Sequence, residues 1–168
     1  PIRALGLLAR ANGVGIGHGD YAAAIPDYET AANLYLGLNR PVDAARSRIG
    51  QVVALATQQA YEQALAVGEA AAEVFRRAER SDLLSGLLSN IGLIYGRAGQ
   101  DKKALACFDE VMTICRATPD LRRQLAQTGI NRSIVLRNLG RFQEAIAAAE
   151  ESMAIANDLN MQVDVANA

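Results

Sequence analysis

The chain has 168 residues, 51% of them hydrophobic, which is enough for one compact domain or a short array of repeats. Its net charge is −1, with 17 Lys and Arg against 18 Asp and Glu, so no bulk charge favours nucleic acid or an anionic membrane as partner. No apolar run approaches the roughly 18 residues of a membrane-spanning helix. We therefore expect a soluble, cytoplasmic protein.

The first element of the chain ends in "ANGVGIGHGDY", with glycine at every second position from Gly13 to Gly19. One interpretation is the phosphate loop of a nucleotide-binding domain, and the other is the weakened end of a helix. A phosphate loop needs a preceding strand and a Lys-Ser/Thr or G-x-G-x-x-G pattern. This run has neither pattern, and the first lysine of the chain is Lys102. Because the chain begins with Pro1 and not Met, we also expect it to be a fragment of a longer protein.

Helix-forming residues dominate the rest of the chain and predict an all-α protein. Short breaks recur along it, and they leave segments of about 16–20 residues that each predict a helix. The breaks lie near Gly19, Asn39–Pro41, Gln58–Ala60, Arg80–Asp82, Gly99–Asp101, Thr118–Asp120, Gly140 and Asn160.

Four of the segments that follow these breaks are alike: "GDYAAAI" (19–25), "QAYEQAL" (59–65), "GQDKKAL" (99–105) and "GRFQEAI" (140–146). They align on one alanine each, which we call the register alanines, and these recur every 40 or 41 residues. Small residues follow seven positions later, on the same helical face, where they allow a paired helix to approach closely. The register alanines and these partners are Ala24, Ala64, Ala104 and Ala145, then Ala31, Ala71, Val111 and Ser152.

The third repeat reads Ile91-Gly92-x-x-Tyr95, then Gly99, then Ala104-x-x-x-Phe108, which resembles the L-G-x-x-Y and A-x-x-x-F pattern of the tetratricopeptide repeat. The first repeat keeps an aromatic residue four positions after its alanine. The second and fourth repeats have Gly68 and Ala149 there. The 40-residue period resembles the long-period subclass of the family and is similar to arrays in bacterial TPR-CHAT or signalling proteins.

The resemblance implies a right-handed superhelical solenoid of antiparallel helix pairs. We expect a single repeat domain over 1–168, with repeats at about 4–40, 41–80, 81–118 and 119–160 and a partial fifth at 161–168. It also implies a non-catalytic module that binds an extended peptide or a partner domain in its concave groove. Such a module would act as a scaffold or sensor within a larger signalling protein.

In the family, the groove is lined by the first helix of each pair, so counting back from the register alanines gives the groove positions here. Arginine and asparagine are frequent among them, and both suit an extended, acidic peptide. Alternatively, these residues are simply solvated, or Asn90 and Asn131 only tie neighbouring helices together. The predicted groove residues are Arg10, Arg46, Asn90, Arg97, Asn131, Arg137 and Asn138.

No catalytic set or metal cluster can be assembled from this sequence. His18 is the only histidine, and Cys107 and Cys115 are spaced unlike zinc or redox cysteines. We therefore expect no enzyme activity, cofactor or metal, and a protein or peptide as partner. Self-association remains an alternative, and nucleotide binding by the glycine run remains a remote one.

Overall fold

The structure, a computed structural model, describes the backbone of residues 1–166 and the side chains of residues 1–159 other than Ile16. This part of the chain is helical and contains no strand. Eight α-helices follow one another: α1 (Ile2–Asn12), α2 (Tyr21–Gly37), α3 (Pro41–Thr57), α4 (Tyr61–Arg77), α5 (Ser81–Arg97), α6 (Asp101–Arg116), α7 (Arg122–Asn138) and α8 (Phe142–Ala166). Two short turns of helix complete them, a π-helical turn over Gly13–Gly17 and a 3-10 turn over Pro119–Leu121.

The chain divides into two compact units, Pro1–Ile94 and Tyr95–Ala168. In the first unit α1 packs on α2, α2 on α3 and α3 on α4. In the second unit α6 packs on α7 and α7 on α8. Consecutive helices joined by such short turns run antiparallel, so each unit is built from helical hairpins. The all-α prediction is confirmed.

The predicted breaks from Gly19 to Gly140 coincide with the turns between helices. Six of these turns contain one residue with a left-handed backbone, namely Gly19, Asn39, Gln59, Glu79, Gly99 and Gly140, with φ between 54° and 75°. In five of the six turns the next amide then donates to the carbonyl five residues earlier, as Arg80 N does to Phe75 O at 2.9 Å. This bond satisfies a carbonyl that the helix end leaves without an intrahelical partner.

The register alanines form the centre of each hairpin. Ala24, Ala64 and Ala104 are 0% exposed and Ala145 is 9% exposed, and the small residues seven positions later are buried as well. Large side chains fill the space around these small ones, among them Phe75 and Phe108. The small residues therefore allow the close helix contacts that their spacing predicted.

The π-helical turn over Gly13–Gly17, called here the glycine turn, continues α1 directly. After it, Asp20 N donates a hydrogen bond to Val14 O, a carbonyl six residues earlier. In the other turns with a left-handed residue, the corresponding bond reaches a carbonyl five residues earlier. The first helix thus accommodates one additional residue before its turn. A π-helical turn has poorer hydrogen-bond geometry than an α-helix, and glycine adds backbone entropy, so this is a weak end of α1.

At the C-terminal end, α8 differs from the sequence prediction. The break expected near Asn160 does not occur, because α8 continues to Ala166. The chain has no glycine or proline after Gly140, so nothing in the local sequence ends the helix at Asn160. The backbone of 161–166 is therefore part of α8. The side chains of the partial fifth repeat expected at 161–168, and the backbone of its last two residues, lie outside the described residues.

Candidate functional site

The first unit contains a cleft of about 660 Å³ between α1 and α3, with α2 as its floor. This volume is within the usual range for ligand sites in proteins. Both walls come from the first helix of a hairpin, as the groove prediction requires. The lining residues are Pro1, Leu5, Leu8, Asn12, Tyr21, Tyr28, Tyr35, Arg40, Asp43, Arg46, Ser47, Ile49, Gly50 and Val53.

Three tyrosines of α2, Tyr21, Tyr28 and Tyr35, form the floor because residues seven apart share one face of a helix. Tyr28 lies so close to Gly50 of α3 that a Cβ there would be 2.3 Å from the Tyr28 ring. Its hydroxyl donates a hydrogen bond of 2.7 Å to Asn12 Oδ1, and burial raises the pKa of Tyr28, with Tyr21 adding to the effect. Tyr28 of α2 thus contacts both α1 and α3.

The charged residues of the cleft differ in whether they already have partners. Arg40 pairs with Asp43 at 2.7 Å and lies over the Tyr35 ring, 5.4 Å from its centre. Arg46 is exposed and, among the described residues, has neither an ion pair nor a hydrogen bond through its side chain. Arg46 is therefore the cleft residue best able to bind an anionic group from outside the chain.

Apolar side chains on the walls were missed by the sequence analysis. Leu5 and Val53 line the cleft although they are 57% and 36% exposed. Val53 lies eleven residues before its register alanine, and at this register Leu93 and Ile134 are also exposed, by 41% and 44%. The alignment of the repeats could have revealed this aliphatic position, since it lies on the same helical face as the predicted polar positions.

Arg10 does not line the cleft. It forms an ion pair with Asp27 of α2, which holds the pKa of that carboxyl below its usual value, chiefly through the hydrogen bonds between them. The groove residues predicted from the sequence include no acid. The acid that neutralises Arg10 lies instead on the second helix of the same hairpin. Its charge is consequently less available to a ligand than that of Arg46.

The other predicted groove residues are divided between the two units. Asn90 is half-buried on α5 in the first unit. In the second unit Arg97 and Arg137 are exposed near the ends of α5 and α7, and Asn131 is half-buried. Asn138 Nδ2 lies 3.5 Å from Asp101 Oδ1, a weak contact that leaves its amide largely available.

The glycine turn does not have the structure of a phosphate loop. It follows a helix and not a strand, and its amides are used within the helix, as where Gly13 N contacts the carbonyls of Ala9 and Arg10. Gly15 is buried, and a Cβ there would lie 3.2 Å from the Ala24 Cβ. The glycine turn therefore serves the packing of α1 on α2, and the nucleotide-binding interpretation is wrong in its structural premise.

The described residues contain no group of His, Cys, Asp and Glu side chains that could hold a metal ion. Cys107 is half-buried and Cys115 is buried, and burial raises the pKa of the Cys115 thiol. A thiol with a raised pKa forms little thiolate at neutral pH and is a poor nucleophile. Among the described helices, none is both long and apolar enough to cross a membrane.

Part of the chain matches a known repeat family in sequence. Residues 83–158 match the model of the tetratricopeptide repeat. A comparison with curated proteins found no match.

Solved structures of the same fold include the apo form of RapI, with a TM-score of 0.84, 16% identity, and coverage of 98% of this chain and 60% of that one. The TPR-like repeats of a Podosopora anserina kinesin light chain have a TM-score of 0.78 and 17% identity, with 93% of this chain and 76% of that one covered. The Rap conjugation gene regulator of plasmid pLS20, in complex with the Phr* peptide, has a TM-score of 0.72 and 18% identity, with 92% of this chain and 43% of that one covered. The chain thus spans about 60% of the length of RapI, and at these identities the likeness shows the fold. Residues 83–158 thus match the tetratricopeptide repeat in sequence, and the chain has the fold of tetratricopeptide-like repeat structures.

Proposed function

We propose that this tetratricopeptide repeat chain is a non-catalytic protein-interaction module, and that it binds an extended peptide in the cleft between α1 and α3. The observation that carries the proposal is the cleft itself, which has a floor of three tyrosines and walls from two first helices. The pLS20 Rap protein, which has the same fold, was solved with the Phr* peptide bound. A scaffold or sensor role within a larger cytoplasmic signalling protein agrees with such a site.

The cleft favours a peptide that carries an apolar side chain next to an acidic one. Leu5 and Val53 offer exposed apolar surface, and Arg46 offers a guanidinium without an ionic partner among the described residues. A carboxylate can accept two parallel hydrogen bonds from a guanidinium, which gives both affinity and orientation. In the second unit, Arg97, Arg137 and Asn138 offer further donors for the same kind of ligand.

The proposal can be tested with an array of acidic peptides and their Asp→Asn, Glu→Gln counterparts, followed by titration calorimetry on those that bind. We expect Arg46→Glu to weaken binding by about tenfold or more, since it replaces an attractive charge with a repulsive one. Arg3→Glu is the matched control, because Arg3 is an exposed arginine of α1 outside this cleft. If the ligands of the native chain bind Arg46→Glu unchanged, the acidic specificity is wrong.

Two further variants test each unit by itself. Val53→Asp should reduce binding if the apolar wall of the cleft holds the peptide. Arg97→Glu with Arg137→Glu should reduce the binding of any acidic peptide that the second unit holds. Absence of any saturable peptide ligand in the array would contradict the interaction-module proposal itself.

A further inference from the structure

Arg40, one of the charged residues that line the cleft, is held in place by its neighbours. Pro41 is the first residue of α3, and a residue that precedes proline is kept out of the α-helical region. Arg40 accordingly lies just before the helix, with φ of −116° and ψ of 70°. Its guanidinium lies over the Tyr35 ring, and its Nε donates a hydrogen bond of 2.7 Å to Asp43 Oδ2. Two contacts therefore fix where this guanidinium lies.

The contact with Asp43 uses only part of the Arg40 guanidinium. In the matching pair of the next hairpin, Arg80 donates to both carboxylate oxygens of Asp82, from Nε and from Nη2. Arg40 donates from Nε alone, and within the described residues its two Nη groups bind no acceptor. The side chain of Arg40 is also 47% exposed. Its four Nη N–H donors are consequently available to a ligand.

Arg40 and Arg46 belong to the same wall of the cleft, with Asp43 between them along the chain. Six residues separate the two arginines, which corresponds to about 9 Å along a helix axis. An extended peptide advances about 3.3 Å per residue, so it covers this distance in about three residues. The spacing of the two arginines therefore matches two acidic side chains about three positions apart in an extended peptide.

We propose that Arg40 is a second anion contact of the cleft, so that the ligand carries two acidic residues about three positions apart and not one. The inference rests on the peptide binding proposed above and specifies the ligand of that site. Arg46 binds one carboxylate, and the Nη groups of Arg40 bind the other through charge-assisted hydrogen bonds. Asp43 and Tyr35 are positioning residues, because they act on the ligand through Arg40.

The charge of Asp43 limits how much the second acid adds. Asp43 offsets part of the positive charge of this wall, and both Arg40 and Arg46 are exposed to solvent. Ion pairs at such exposed sites contribute little, so we expect a second acid to raise the affinity by about fivefold. The selectivity between peptides with one and two acids is therefore a sharper measure of the contact than the affinity itself.

Calorimetric titration of the native chain with matched peptides measures this selectivity. The starting point is an array peptide that binds, prepared with Glu at two positions three apart and with Gln in place of one Glu. We expect the diacidic peptide to bind about fivefold more tightly than the monoacidic one. A peptide with its two acids about six positions apart should bind like the monoacidic peptide, since it overshoots the arginine spacing.

Replacement of the whole ion pair separates the Arg40 contact from general electrostatic attraction. Arg40→Gln with Asp43→Asn removes one positive and one negative charge, so the net charge of the chain is unchanged. We expect this double variant to bind the two peptides equally, within about twofold. The control is Arg80→Gln with Asp82→Asn, which removes a similar pair outside the cleft and should keep the preference of about fivefold. Circular dichroism verifies that both double variants remain helical.

The outcomes distinguish this inference from the proposed function. A native chain that binds both peptides equally, or a preference that survives Arg40→Gln with Asp43→Asn, would overturn the second contact and leave peptide binding in place. Loss of the preference in the control as well would assign it to general electrostatics and would also overturn the contact. Absence of saturable binding by every peptide would overturn both proposals.

Discussion

At the residue scale, two glycines of this chain leave room for a large side chain on a neighbouring helix. Gly50 of α3 makes room for the ring of Tyr28, while Gly68 of α4 makes room for Ile91 of α5, whose Cγ1 would be 3.0 Å from a Cβ at Gly68. Gly68 stands where the family pattern has an aromatic residue, and Ile91 fills the space instead. Alignment of the repeats shows that the aromatic residue is missing, but the compensating residue is on another helix and cannot be inferred from local sequence.

This compensation predicts opposite effects for two glycine-to-alanine changes. Gly50→Ala should lower the free energy of unfolding by about 1–3 kcal/mol, because the new Cβ displaces Tyr28 from its hydrogen bond with Asn12. Gly86→Ala should raise it by up to about 1 kcal/mol, because Gly86 is inside α5 with nothing within 4 Å of a Cβ. Urea unfolding of both variants checks the prediction, and equal effects would contradict it.

The Arg10–Asp27 pair predicts a pH dependence. The pKa of Asp27 is lowered by Arg10, so the folded state binds the proton of this carboxyl less readily than the unfolded state. The pair therefore stabilises the fold above the unfolded pKa of about 3.9, and this contribution is lost as the pH falls through the lower folded pKa.

We expect Asp27→Asn to melt below the native chain near pH 6 and the two melting temperatures to converge as the pH is lowered to about 2. Glu29→Gln, an exposed carboxylate of the same helix, serves as control. A difference that widens on acidification would contradict the assignment.

At the element scale, the turns were the most predictable feature and the helix ends the least. Glycine or a polar residue marks each of the turns with left-handed backbone, and that local chemistry is visible in the sequence. The π-helical form of the glycine turn was not predictable, because the extra residue is defined by the hydrogen bond from Asp20 to Val14. The extension of α8 past Asn160 was missed because the 40-residue period was applied where no breaker occurs.

Left-handed residues other than glycine offer a direct test of the turns. Glu79 has φ of 54°, a conformation that costs an ordinary side chain about 1–2 kcal/mol and glycine almost nothing. We expect Glu79→Gly to raise the free energy of unfolding by about 1 kcal/mol, less than the full strain because glycine also gains entropy in the unfolded chain.

Thermal unfolding of Glu79→Gly and Glu79→Ala separates the backbone effect from loss of the side chain. The alanine variant should show no comparable gain. Asn39→Gly should gain less than Glu79→Gly, since asparagine tolerates the left-handed region better than glutamate does.

At the scale of the whole molecule, α1 to α4 in the first unit and α6 to α8 in the second pack mainly on the helices next to them in sequence, as in repeat proteins. The positions of the helices up to Gly140 could be predicted from the sequence because the same local pattern recurs along it. The cleft could be predicted from the sequence only in part. Arg46 is one of the predicted groove residues and lines the cleft. The tyrosine floor, however, depends on the space left by Gly50, and no sequence motif marks the apolar walls. A surface formed by several helices is specified by non-local packing, which one repeat does not encode.

The same one-dimensional organisation predicts where the molecule opens. Hydrogen exchange should be faster at residues 11–19 than at residues 88–98, because the glycine turn combines π-helical geometry with glycine, whereas α5 packs its buried Leu88, Ile91 and Ile94 into the core. Gly13→Ala should slow exchange in this segment by up to about fivefold, since its backbone is already helical (φ −61°) and a Cβ there meets nothing.

Gly15→Ala is the matched comparison, because its Cβ would lie 3.2 Å from the Ala24 Cβ and would strain the contact between α1 and α2. We expect Gly15→Ala to give less protection than Gly13→Ala. Mass spectrometry on peptides that span both segments measures the exchange in the native chain. If exchange at residues 11–19 is no faster than at residues 88–98, contacts with α2 hold the glycine turn as firmly as the core holds α5.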